Sequence, residues 1–108
     1  MDGSSGSARA VIHYEVTAVV RPDLMAAYDQ FLPGHVEEVL ATGCFEDAVM
    51  ARGAPGHYRV RYTTATQVAL DRYFAEHAPR LRADIQARFP QGVEWTRAVW
   101  TDWLRMAP

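Results

Sequence analysis

The chain has 108 residues, of which 49% are hydrophobic, and it carries a formal net charge of -2. A chain of this length forms one domain with one hydrophobic core and is too short for two. Because charges of both signs are scattered along it, no broad positive surface is expected, and the sequence predicts no nucleic-acid partner.

Location and metal binding are constrained by what the sequence lacks. No apolar run approaches the roughly 20 residues that cross a bilayer, and the first residues do not resemble a secretory signal. Cys44 is the only cysteine, and no Cys/His spacing typical of zinc sites occurs. We therefore expect a soluble cytoplasmic protein with no membrane contact and no metal site.

Residues 1–9, rich in Gly and Ser, predict a flexible tail, either native or left from cloning, before a single domain over residues 10–108.

The first two elements are predicted to be a strand and a helix. Apolar residues alternate over residues 12–20, the pattern of a half-buried strand. Pro22 suits the first position of a helix, and an apolar helical stripe follows. Pro33-Gly34 interrupts this stripe, and Gly43 is placed to end the helix in a left-handed conformation. The first helix should therefore be long and bent.

The next elements are predicted to be a hairpin of two strands. Residues 44–52 are rich in apolar side chains, and the turn cluster 53–56 separates them from an alternating run that begins near Tyr58. Near the end of the chain, residues 93–103 predict a last strand that contains all three tryptophans.

A second helix is predicted between the hairpin and the last strand. Thr64 and Gln67 match a capping box at its start, and Pro79 predicts either a kink or a new first turn within it. Its apolar face is predicted to contain Leu70, Phe74, His77, Leu81, Ile85 and Phe89.

The order βαββαβ predicts an α+β ferredoxin-like plait, a four-stranded antiparallel sheet with two helices on one face. The side chains predicted to face the helices are Ile12, Tyr14, Val16, Tyr58, Val60 and Tyr62. Those predicted to face outward are His13, Glu15, Thr17, Arg59 and Arg61, as cross-strand charge pairs or an anion site. The other two strands carry apolar groups on both faces, with Cys44 predicted in a strand or interface. A second copy of the chain is therefore expected to cover the outer face as a homodimer.

Several segments together resemble a bacterial family of short proteins with a domain of unknown function. They are residues 14–17, 35–45, 58–62 and 78–82, and the most specific is 35–45. The family resembles members of the dimeric alpha-beta barrel superfamily, in which two plaits pack sheet against sheet. That superfamily includes quinone-forming monooxygenases, haem-degrading enzymes, muconolactone isomerases and polyketide cyclases, many with a pocket between helices and sheet. The resemblance implies a dimer and such a pocket but no established activity.

His35 is the leading candidate for catalysis. It follows the Pro33-Gly34 interruption, so it can lie over the sheet, where a neutral imidazole can act as an acid or a base with its tautomer fixed by Glu38 or a tyrosine. Alternatively, it hydrogen-bonds the carbonyl groups that the proline leaves free.

A candidate ligand pocket joins His35 to Phe31, Tyr14, Tyr58 and Tyr62, which would suit a small planar aromatic or acyl-like molecule. The alternative is that these aromatic residues only pack the core.

His77, on the predicted inner face of the second helix, is a further candidate ligand-binding residue. Relatives that bind haem take an axial ligand from a comparable helix, although a buried structural histidine fits equally. Cys44 and His35 are a weaker hypothesis for a nucleophilic pair.

Three functions therefore stay open. The first is a small-molecule binding protein, with or without acid-base catalysis by His35 and with no required cofactor. The second is a non-catalytic dimerisation or ligand-sensing module. The third is a monooxygenase that depends on haem or flavin or needs no cofactor.

Overall fold

The computed structural model describes residues 11–108. The tail predicted over residues 1–9, and residue 10, lie outside the described residues. The strands are β1 (Ile12–Val20), β2 (Asp47–Arg52), β3 (His57–Thr64) and β4 (Val93–Thr101). The α-helices are α1 (Met25–Ala41), α2 (Gln67–Arg72) and α3 (Ala78–Arg88). A 3-10 turn (Pro22–Leu24) leads into α1, and a π-helical turn (Tyr73–His77) joins α2 to α3.

The four strands form one antiparallel sheet in the order β2-β3-β1-β4. The central strand β1 places Val16 opposite Val60 of β3 on one side and opposite Arg97 of β4 on the other. Buried side chains from α1, α2 and α3 join those of β1 and β3 in a single hydrophobic cluster, so the helices cover one sheet face. This arrangement confirms the predicted α+β ferredoxin-like plait.

The two faces of the central strands divide as the period-two pattern predicts. Five of the six side chains predicted to face the helices are buried, and Val16 is half-buried. On the outer face, Arg61 pairs across the strands with Glu15, with 2.9 Å between Nη2 and Oε2. The outward charges therefore include a cross-strand ion pair. This agrees with the predicted charge pairs, the alternative to an anion site.

The edge strands are shorter than predicted. β2 begins at Asp47 rather than at residue 44, because Cys44 and Phe45 turn into the core and are 2% and 8% exposed. Cys44 therefore lies neither in a strand nor on the outer face. β4 ends at Thr101 rather than at residue 103.

The first helix runs without a break through Pro33 and Gly34. Helix α1 ends where the sequence predicted, since Gly43 adopts a φ of 78° directly after the C-cap and its N–H bonds the carbonyl of Leu40. This end lets the chain reverse toward β2.

The second helical segment begins at a different cap from the predicted one. Thr66 is the N-cap, and its hydroxyl accepts a hydrogen bond from the N–H of Ala69 at 3.1 Å. Thr64 is instead the buried last residue of β3. The capping-box prediction was wrong because β3 continues to Thr64, and the chain needs two more residues before the helix starts.

The π-helical turn changes which side chains face the core. The N–H of Ala78 bonds the carbonyl of Tyr73, five residues earlier, so one extra residue is accommodated just before Pro79. As a result Tyr73 and Ala78 are buried, at 3% and 2% exposure, whereas Phe74 and His77 are half-buried. The predicted face is correct on either side of this turn, and Pro79 stands in the first turn of α3.

Candidate functional site

A narrow cavity lies between the helices and the inner face of the sheet. Its empty volume is about 490 Å³ including space open to solvent, of which about 30 Å³ can be reached by the centre of a water molecule. Its walls include aromatic and aliphatic side chains, one histidine and two arginines. The residues that line it are Tyr14, Val16, Ala18, Tyr28, Leu32, His35, Val39, Tyr58, Val60, Tyr62, Tyr73, Leu81, Arg82, Ile85, Trp95 and Arg97.

The imidazole of His35 lines this cavity from α1. Its Nδ1 is buried and has no hydrogen-bond partner among residues 11–108. Phe31, one turn earlier, stacks on the ring at a centroid distance of 5.6 Å. Burial lowers the pKa of His35, and although Glu38 and Asp84 oppose this shift, the charge of Arg97 adds to it. The ring is therefore neutral near pH 7 and offers a nitrogen that the protein itself leaves unpaired.

The hydroxyl of Tyr14 is held by a residue of α3. Arg82 donates a hydrogen bond from Nη2 to this hydroxyl at 3.1 Å. The Tyr14 ring stacks on Tyr62 at 5.9 Å and meets Phe74 edge-on at 5.1 Å. These ring contacts fix one aromatic wall of the cavity and aim the Tyr14 hydroxyl toward Arg82.

Two other tyrosine hydroxyls also have defined partners. Tyr58 donates to Oδ1 of Asp29 at 2.6 Å, and the same carboxylate pairs with Arg52 at 3.2 Å. Removal from water, helped by the bond to Asp29, raises the pKa of Tyr58 to about 12. The hydroxyl of Tyr28 accepts a hydrogen bond from Nε1 of Trp95 at 3.2 Å. Both phenols thus stay protonated at neutral pH.

The predicted site residues are only partly brought together. Tyr14, His35, Tyr58 and Tyr62 line one cavity, and Phe31 contacts it through the ring of His35. His77 is not among the lining residues; it is half-buried, 6.4 Å from the ring of Tyr73, with Nε2 4.0 Å from Glu76.

The hypothesis of a pair between Cys44 and His35 gains no support from the structure. Cys44 is buried at the start of the segment before β2, and Nη2 of Arg72 lies 3.4 Å from its sulfur. It does not line the cavity that holds His35.

Sequence reasoning missed five of the aromatic and charged residues that line the cavity. Trp95 and Arg97 occupy alternate positions of β4, opposite Ala18 and Val16 of the inner face. The alternation of β4 relative to β1 was the available signal for them. The other three come from the helices, and for Tyr73 no such signal exists because the π-helical turn placed it inside. The helix residues are Tyr28, Tyr73 and Arg82.

Residues 11–108 contain neither a metal-ligating cluster nor a helix suited to span a membrane. Within residues 11–108, no group of three or more His, Cys, Asp or Glu side chains is placed to hold a metal ion. In the same part of the chain, no helix combines the length and the apolar character that crossing a bilayer requires.

The strand order and the cavity between helices and sheet define the class of protein, an α+β ferredoxin-like fold. Within it, residues 11–105 match DUF4286, a domain of unknown function, and the chain belongs to this family. No curated protein matches the chain.

Solved structures share the fold at low sequence identity. A mutant of SnoaB, a cofactor-independent oxygenase from Streptomyces nogalater, has a TM-score of 0.68 and 12% identity, over 94% of this chain and 100% of the other. Rv0793 from Mycobacterium tuberculosis has a TM-score of 0.64 and 17% identity, over 90% and 99%. A protein described as an antibiotic biosynthesis monooxygenase has a TM-score of 0.60 and 18% identity, over 87% and 99%. At these identities the similarity establishes the fold alone.

Proposed function

We propose that this protein binds a small planar molecule, aromatic or acyl-like, in the cavity between its helices and sheet, with His35 as the acid-base group. The observation that carries this proposal is the buried, unpaired Nδ1 of His35 in a cavity walled by aromatic rings. A buried polar atom without a partner is costly, and a ligand that forms a hydrogen bond with it would remove that cost.

The chemistry available at the site supports proton transfer or hydrogen bonding. A neutral imidazole accepts a proton from a phenol, an enol or an activated C–H, and the lowered pKa of His35 keeps it in that form near pH 7. Only about 30 Å³ of the cavity can be reached by the centre of a water molecule, so a ligand enters only if the aromatic walls move apart, and a flat ring requires a smaller displacement than a branched molecule.

Oxygenation without a cofactor is a second candidate reaction. SnoaB, with the same fold, is named as a cofactor-independent oxygenase, and a base that deprotonates an aromatic substrate would suit His35. The non-catalytic alternative, ligand sensing, would use the same cavity without turnover. A haem or flavin version would show an absorption band in the visible spectrum of the purified protein.

Binding to a neutral planar probe, 2-naphthamide, tests the main proposal by calorimetric titration. Ala18 is buried and lines the cavity, so Ala18→Leu should fill part of it and weaken binding by roughly tenfold or more, whereas Ala75→Leu on the exposed surface should bind like the wild type. Circular dichroism verifies that both variants fold. Equal binding by the folded Ala18→Leu variant, or no binding by the wild type, would contradict the proposal.

We also propose a homodimer formed through the outer face of the sheet. Three apolar side chains on that face are exposed by 45% to 58%, which is unusual for a sheet in contact only with water. They are Val19, Val49 and Trp100. Light scattering should give about twice the chain mass of 12.1 kDa, and a monomer at all concentrations would refute the dimer.

We further propose the reducing cytoplasm as the location of the protein, which the free thiol of Cys44 supports.

A further inference from the structure

Two arginines reach the cavity from different elements. Arg82 lies on α3 and Arg97 lies on β4, and both line the space that holds His35. Neither forms an ion pair with a carboxylate among residues 11–108, whereas four other arginines do. Those four are Arg21, Arg52, Arg61 and Arg80.

Arg82 is held in place and still has donors to offer. One of its N–H groups bonds the hydroxyl of Tyr14 at 3.1 Å, and its guanidinium lies 5.8 Å from the ring centroid of Phe74. A guanidinium has five N–H donors, so most of them are left for another acceptor.

The charge of Arg97 acts across the cavity. Burial is the first cause of the pKa shifts of Tyr28, His35 and Tyr73, and Arg97 lowers the pKa of each of the three. Arg82 has the same effect on Tyr73. The carboxylates of Glu38 and Asp84 act on His35 in the opposite direction, but Asp84 is paired with Arg80.

We propose that the ligand of this cavity is an anion, a planar aromatic or acyl carboxylate whose charged group binds Arg82 and Arg97. This inference rests on the proposed function, since it names the class of molecule that enters the same cavity. Guanidinium groups recognise carboxylates by paired, charge-assisted hydrogen bonds, and because Arg82 and Arg97 are both exposed they can bind the charged group where the cavity meets solvent. The flat body of the ligand then packs against the tyrosines, with His35 free to accept a hydrogen bond from it.

A matched pair of probes separates charge recognition from aromatic binding. The wild type should bind 2-naphthoate roughly tenfold more tightly than 2-naphthamide, which has nearly the same shape but no charge. Because both arginines are exposed to solvent ions, sodium chloride should reduce this ratio. In the Arg82→Gln and Arg97→Gln variants the ratio should fall toward one, and Arg97→Lys should retain part of it.

The control is Arg88→Gln, which removes an exposed arginine of α3 that does not line the cavity and should keep the wild-type ratio. Equal affinity of the wild type for both probes, or an unchanged ratio in both folded glutamine variants, would overturn the anion inference and leave the proposed function intact. Failure of the wild type to bind either probe would overturn both. Because the wild-type ratio and its salt dependence require no variant, they test the inference even where a variant fails to fold.

Discussion

At the scale of single residues, His35 links its surroundings to the pH dependence of stability. Burial disfavours the imidazolium, so the folded pKa lies below the value of about 6.5 expected for the unfolded chain. Above about pH 6.5 His35 is neutral in both the folded and the unfolded chain, so its burial does not reduce the free energy of unfolding. The free energy of unfolding declines as the pH falls below that value toward the folded pKa, because the unfolded chain takes up the proton first.

We expect His35→Gln to lose less stability than the wild type between pH 7.5 and pH 5. Urea denaturation at a series of pH values measures this difference. His57→Gln is the control, since His57 is exposed at the start of β3, and it should follow the wild-type curve. If His35→Gln and the wild type showed parallel curves, the neutral and buried state assigned to His35 would be wrong.

The hydrogen bond from Tyr58 to Asp29 should be measurable in the same way. Tyr58→Phe removes a 2.6 Å bond to a carboxylate and should lower the free energy of unfolding by about 1–2 kcal/mol. Asp29 is partly exposed, so Asp29→Asn should cost less, and the double variant should show positive coupling of the pair.

Tyr62→Phe is the matched control for this bond. The Tyr62 hydroxyl has no hydrogen-bond partner among residues 11–108, so its removal should change stability by less than about 0.5 kcal/mol. Equal losses in the two phenylalanine variants would mean that the Asp29 bond adds nothing.

At the scale of elements, alanine substitutions at two glycines should have opposite effects on the free energy of unfolding. Gly34 lies within α1 and Gly43 follows its end. Gly43 has a φ of 78°, and nothing lies within 4 Å of an added Cβ, so Gly43→Ala should destabilise by about 1 kcal/mol through backbone strain alone. Gly34 lies inside α1 with equally open space, so Gly34→Ala should stabilise by about 0.5–1 kcal/mol. Thermal unfolding of both variants compares them directly, and a shift of the same sign in each would contradict this assignment.

The π-helical turn is the element that most affects the site. It buries Tyr73 beside the cavity and leaves His77 outside, although a regular helix would have placed Phe74 and His77 inward. The one extra residue in the helical turn therefore determines that Tyr73, and not His77, lines the cavity.

At the scale of the whole molecule, the outer sheet face is the surface through which we propose that two chains assemble. Trp100→Glu would place a charge in the proposed dimer interface, so the mass measured by light scattering should fall from about twice 12.1 kDa to the single-chain value. Val68→Glu is the control, because Val68 is 78% exposed on α2, away from the sheet. A Trp100→Glu variant that stayed dimeric would exclude this face as the interface.

The sequence by itself determined the fold. The alternation of β1 and β3 and the left-handed Gly43 were all predicted, because each depends on local periodicity or on the conformational freedom of a single residue. For the same reason, three tyrosines and His35 could be grouped on the inner side before any contact was known.

Only the tertiary structure decided the composition of the cavity. Arg97 and Trp95 come beside His35 through the register of β4 on β1, which pairs residues about 80 positions apart. Tyr73 enters through the π-helical turn, and Arg82 joins it from α3. Local pattern fixes which face a side chain takes, but strand register and helical phase fix its neighbours, and both depend on the packing of the whole chain.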